Sequence, residues 1–123
     1  MNQEQAEQFV YQWIAAWNAH DLHSILEHYA DELEFYSPVI IQLNINQTGC
    51  ITNKRELSGY FQTGLNVYPD LRFKLHNFFV GVNTIVVYYT SVNGRMATEV
   101  FGLNVGGKAE KVFCNYTVNP SRY

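Results

Sequence analysis

Four strand-like runs follow one another in the second half of this chain: Leu71 to Val80, Ile85 to Val92, Met96 to Val105 and Ala109 to Val118. They are separated by Gly81-Val82-Asn83, Asn93-Gly94 and Gly106-Gly107. Asn-Gly and Gly-Gly supply the positive φ angles of tight hairpins, so each run is turned back alongside its predecessor. The half therefore reads as an antiparallel meander, which must find something to cover its apolar side.

The first half has a different period. Ala6, Phe9, Val10, Trp13, Ile14 and Trp17 recur at i, i+3, i+4, i+7, i+8 and i+11, a single helical stripe. Asn18-Ala19-His20 breaks it, and Asp21 is placed to cap a second helix with the stripe Leu22, Ile25, Leu26 and Tyr29. Leu33 to Tyr36 reads as a short strand stopped by Ser37-Pro38, because proline biases its predecessor away from helix. Residues 39–50 carry no clear period. Asn53 and Glu56 form a capping-box-like pair ahead of Leu57, Tyr60, Phe61, Leu65 and Tyr68, a third helix that ends at Pro69-Asp70. Three helices before a meander give an α+β class, helices on one face of a curved, mostly antiparallel sheet. At 123 residues the expectation is one domain, 1–123.

Both parities of the run Ile85 to Val92 are apolar: Val86, Tyr88 and Val92 on one side, Ile85, Val87 and Tyr89 on the other. A strand with one wet face alternates apolar with polar, so this one calls for cover on both sides. The helices supply one side. A second copy of the chain, as a homodimer through the outer sheet face, is the simplest source of the other. Composition points the same way. Charged residues make up 15%, against an average of about 25%, while aromatic residues also reach 15%. That apolar surplus is expected to line a cavity as well as an interface.

Several classes are disfavoured. A net charge of -3 with few, scattered basic residues gives no footprint for nucleic acid or an anionic membrane, and there is no Gly-rich phosphate loop. No apolar run approaches the roughly 18 residues of a membrane span, and the N-terminus lacks a signal-peptide pattern, so a cytoplasmic location is expected. Cys50 and Cys114 make no paired metal or disulfide pattern. His20, His23 and His28 cluster near Asp21, but their spacing puts them on different faces, so no metal is expected. No cofactor is expected either.

Trp13-Ile14-Ala15-Ala16-Trp17-Asn18-Ala19-His20-Asp21-Leu22, followed by Leu26-Glu27-His28-Tyr29-Ala30-Asp31-Glu32-Leu33-Glu34-Phe35-Tyr36-Ser37-Pro38, resembles the opening of SnoaL-like polyketide cyclases and ketosteroid isomerase-like proteins. Both belong to the nuclear transport factor 2-like superfamily. Tyr68-Pro69-Asp70-Leu71-Arg72-Phe73 and Gly106-Gly107-Lys108 resemble that family's second-strand entry and last hairpin. The resemblance implies a cone-shaped, cystatin-like α+β barrel, usually dimeric, whose mouth holds a small apolar molecule. It places Trp13 where the isomerases carry an oxyanion-hole tyrosine, Ser37 where they carry the general-base aspartate, and Phe101 near their second aspartate. Those three roles are vacant here. Arg95-Met96-Ala97 likewise does not supply the Arg-x-Asp arrangement of limonene epoxide hydrolase-like members.

One carboxyl stands out. Ala97, Glu99, Phe101, Leu103 and Val105 share a parity that is otherwise apolar, and matching Phe101 to the isomerases' inward position aims Glu99 into the cone. A carboxyl desolvated there would have a raised pKa and could carry a proton near neutral pH. The alternative is a carboxylate near a strand end or paired with a Lys or Arg. Trp13, Trp17, Tyr60, Tyr88, Phe101 and Phe113 are candidate walls for an apolar or aromatic ligand, with Tyr60, Tyr88, Ser37 and Asn115 as polar anchors; each aromatic could equally be core. His76 falls on the more polar side of its strand unless a bulge shifts it. Two functional readings stand. One is cofactor-free acid/base chemistry of isomerase, cyclase or dehydratase type, with Glu99 as proton carrier and a tyrosine or Ser37 as donor. The other is a non-catalytic module that binds a ligand or a protein.

Overall fold

A computed structural model describes residues 1–118. Helix α1 (Gln3–Asn18) begins at a full capping box between Asn2 and Gln5 and buries Ala6, Phe9, Val10, Trp13, Ala16 and Trp17. Asp21 caps α2 (Leu22–Leu26) by accepting from Ser24 N. That helix is a turn shorter than its apolar stripe implies, and Tyr29 instead opens strand β1 (Tyr29–Tyr36). The chain is pulled out of helix there by the sheet: Ala109 N donates to His28 O at 2.8 Å, and Tyr29 pairs with Ala109.

Residues 38–53 hold two elements that the periodicity does not show. Helix α3 (Pro38–Gln42) has proline in its first turn and Ser37 as cap, and strand β2 (Cys50–Asn53) follows. The α-helices among the described residues are therefore four. In α4 (Lys54–Val67), Asn53 accepts from Glu56 N, and Leu57, Tyr60, Phe61 and Leu65 are buried. The meander is β3 (Lys74–Val80), β4 (Thr84–Thr90), β5 (Met96–Leu103) and β6 (Ala109–Tyr116).

The six strands form one sheet in the order β2-β1-β6-β5-β4-β3. Every pairing is antiparallel except β1 with β6, which is parallel. Register shifts interrupt β1, β3 and the β5–β6 ladder, and such bulges bend and twist a sheet. The result is curved but not closed, because β2 and β3 remain edges; the cone is open rather than a complete barrel. Asn18, just past the buried stripe of α1, anchors the segment that leads into β3. Its side chain donates to Phe73 O at 3.0 Å and accepts from Phe73 N at 2.6 Å. His20 adds a contact to Leu71 O at 2.8 Å.

The concave face carries Phe35, Ile85, Val87, Tyr89, Ala97, Glu99, Phe101, Val112 and Cys114, all buried against α1 and α4. Trp13 is the hub: its ring meets Phe73, Tyr89 and Phe101 at 5.4–5.8 Å between centroids, and its Nε1 donates to the Tyr29 hydroxyl at 2.9 Å. On the convex face Phe79, Val86, Val100, Phe113 and Tyr36 stand in one lateral row of paired positions across β3, β4, β5, β6 and β1. Phe79 and Phe113 are exposed there, and Phe113 stacks on Tyr36 at 5.1 Å.

Candidate functional site

The hollow of the curved sheet contains a cavity of about 90 Å³. Its deep wall is aromatic, formed by Trp17, Phe35, Phe61, Phe73 and Tyr89, and its rim carries Gln42, Ser91, Asn93 and Arg95. The volume is well below the roughly 300–1,000 Å³ of pockets for drug-sized ligands.

Among the described residues Glu99 is the only carboxyl on that lining, in the middle of β5 opposite Val87 and Cys114. It is 4% exposed. Tyr89 donates to its Oε1 at 2.8 Å. Burial pushes the carboxyl up to about 7, against the opposing pull of the Tyr89 hydroxyl, the Cys114 thiol and the Tyr29 hydroxyl. Among the described residues no cation contributes to that balance. The surrounding groups are held neutral: burial, and then the Glu99 charge, pushes Tyr89, Tyr29 and the Cys114 thiol well above their ordinary values. Chemically this is an acid that exchanges its proton near neutral pH, flanked by hydroxyls that stay protonated and can donate.

The SnoaL-like domain model matches residues 10–110 of the chain. The chain belongs to the SnoaL-like domain family. A SnoaL-like protein of unknown function from Burkholderia thailandensis is similar at 36% identity, with a TM-score of 0.90, and the match covers 96% of this chain and 99% of that one. A cystatin-like fold protein of unknown function from Methylobium petroleophilum is similar in structure, with a TM-score of 0.77 at 10% identity over 97% and 80% of the two chains. SalBIII, an epoxide hydrolase/cyclase-like enzyme of pyran ring formation in the polyether salinomycin, has a TM-score of 0.74 at 15% identity over 95% and 94%. At those two identities the likeness is one of fold. No curated protein matches.

In this SnoaL-like chain the residues singled out in the sequence divide into three groups. Glu99, Trp17 and Tyr60 line the cavity. Trp13, Phe101 and Ser37 are buried but lie behind the lining: the first two are core, and Ser37 caps α3 while its Oγ accepts from the Tyr60 hydroxyl at 3.5 Å. Tyr88, Phe113 and Asn115, expected to line the same pocket, sit instead on the convex face, away from this cavity. For Tyr88 both parities of β4 are apolar, and the inward one is Ile85, Val87 and Tyr89. For Phe113 and Asn115 the cause is a bulge: Ala109 and Val112 are both buried, so the parity of β6 reverses between them.

Sequence reasoning passed over Tyr89, Cys114, Arg95 and Tyr116 as parts of the site. The histidines do not converge. His20 holds Leu71 O, His23 pairs with Glu27 at 2.9 Å, and His28 contacts Ser24 O at 3.0 Å. His76 lies at the β3 bulge against Thr90 Oγ1 at 2.6 Å. Among the described residues no group of three metal-ligating side chains is found, and no helix is long and apolar enough to cross a membrane.

Proposed function

We propose that this chain binds a small, largely apolar molecule in the cavity and moves a proton on it, with Glu99 as the proton carrier and the Tyr89 hydroxyl as its partner. The observation that supports this is a carboxyl buried in an aromatic hollow, with a pKa of about 7 and, among the described residues, no cation to hold it ionised. Proton transfer is most efficient when the carrier's pKa lies near the working pH. Proton abstraction next to a carbonyl, as in isomerase, cyclase or dehydratase chemistry, needs such a carrier and a hydroxyl donor for the developing oxyanion. Tyr60, buried at the same wall with its pKa pushed up by burial, is a second donor within the site.

The test is deuterium exchange at the α-carbon of small cyclic ketones in heavy water, followed by NMR. The wild-type chain accelerates exchange and Glu99→Gln abolishes it with the fold intact. Exchange that is unchanged in Glu99→Gln removes Glu99 from the chemistry.

A binding module is the second reading, favoured by the small volume and by Glu99 already holding the Tyr89 hydroxyl. Ligand binding without exchange by any ketone supports it. We further propose that the convex row of Phe79, Val86, Val100, Phe113 and Tyr36 packs on a second copy of the chain. An apolar row crossing five strands, with rings exposed at Phe79 and Phe113, is poorly suited to water.

A further inference from the structure

The cavity has two polar stations, and they are separate. Glu99 lies on the deep part of β5. Arg95 stands at the rim, on the turn between β4 and β5, and is the only cation on the lining among the described residues. Arg95 has no share in the balance that sets the Glu99 carboxyl, so neither charge is spent on the other. The guanidinium carbon lies 4.8 Å from the centroid of the Tyr116 ring, itself part of the lining, which holds the cation at the edge of the hollow.

The turn that carries Arg95 is built for a fixed position. Ser91 N donates to Arg95 O at 2.7 Å, and the two residues at its tip, Asn93 and Gly94, take positive φ values of 58° and 71°. Ser91 is buried, lines the cavity and does not use its side chain to cap the turn that follows. A residue with a hydroxyl and a residue with a guanidinium on one turn thus line the same cavity. Guanidinium with a neighbouring hydroxyl is donor chemistry matched to a carboxylate.

We propose that the ligand is a small organic anion, with its carboxylate at Arg95 and Ser91 and its unsaturated or aromatic body directed toward Glu99. This rests on the reading of the cavity as a ligand site and names the class of ligand it takes. A neutral molecule of the same shape leaves the half-buried guanidinium without an anionic partner, and that difference sets the selectivity.

Benzoate and benzamide are matched probes, near in size and differing in charge. Calorimetric titration of the wild-type chain at one fixed pH is expected to give benzoate an affinity about tenfold or more above that of benzamide. Arg95→Gln is expected to erase the difference by weakening benzoate alone. Arg95→Lys should retain part of it, because the charge remains while the planar fork is lost. Equal affinities in the wild type overturn the proposal and leave the ligand site standing. A preference for benzoate that persists in Arg95→Gln also overturns it, and so does the absence of benzoate binding. If benzamide fails to bind as well, the reading of the cavity as a site for small molecules falls too.

Discussion

The Tyr89 hydroxyl donates to Glu99 Oε1 at 2.8 Å, from the strand next to the one that carries the carboxyl. This contact favours the ionised form, so Tyr89→Phe should raise the Glu99 midpoint above about 7. The pH profile of ketone exchange should move to higher pH with it. A midpoint that stays or falls would show that Tyr89 does not set the acidity of Glu99.

Glu99 also makes stability depend on pH, with a definite sign. Its pKa is higher folded, about 7, than the 4.5 of an ordinary glutamate, so the folded state holds its proton more tightly. The stabilisation from the protonated form is complete below about 4.5 and lost as pH rises through 7. The loss amounts to roughly 3 kcal/mol at full extent. His28, whose pKa burial lowers, acts in the opposite direction but equally in both proteins compared. Urea unfolding at pH 5 and pH 8 should therefore show wild type losing stability relative to Glu99→Gln. A difference that does not change with pH contradicts the burial of an ionisable Glu99.

Trp13 joins α1 to the concave sheet and satisfies the buried Tyr29 hydroxyl. Trp13→Phe removes that donor and leaves space beside Phe73 and Phe101, at a cost of about 1–3 kcal/mol. Thermal unfolding measures it directly. An unchanged midpoint would mean that the contact contributes nothing.

For the convex face the measurable quantity is mass in solution. Sedimentation should give twice 14.2 kDa for the wild type, and Phe113→Glu should shift it toward 14.2 kDa, since a charge replaces an exposed ring of the row. A wild-type monomer at micromolar concentration rules out the dimer.

The long periodic elements were legible because many residues repeat one instruction. Six residues of α1 agree on one stripe, and the Asn-Gly and Gly-Gly turns set the meander. The apolar parity that Glu99 shares with Ala97 and Phe101 was legible too, while its inward aim came from the resemblance of Phe101 to the isomerases' inward position; all three are buried. What stayed hidden depends on single local events. Tyr29 reads as helix by spacing and is a strand residue only because β6 pairs with it. Helix α3 has five residues, too few for a period, and is started by Ser37 and Pro38 alone. One bulge in β6 turned Phe113 and Asn115 outward and brought Cys114 and Tyr116 to the cavity. Which tyrosine of the Tyr88-Tyr89 pair meets Glu99 is fixed by register across β4 and β5, and both parities of β4 are apolar.

The protonation of Glu99 itself is the most direct test. Carbon-detected NMR of the labelled side-chain carboxyl, titrated from pH 4 to 9 and assigned by its absence in Glu99→Gln, should show a midpoint near 7. A midpoint near the ordinary 4.5 would mean that the carboxyl is solvated, and the cavity would then have no proton carrier.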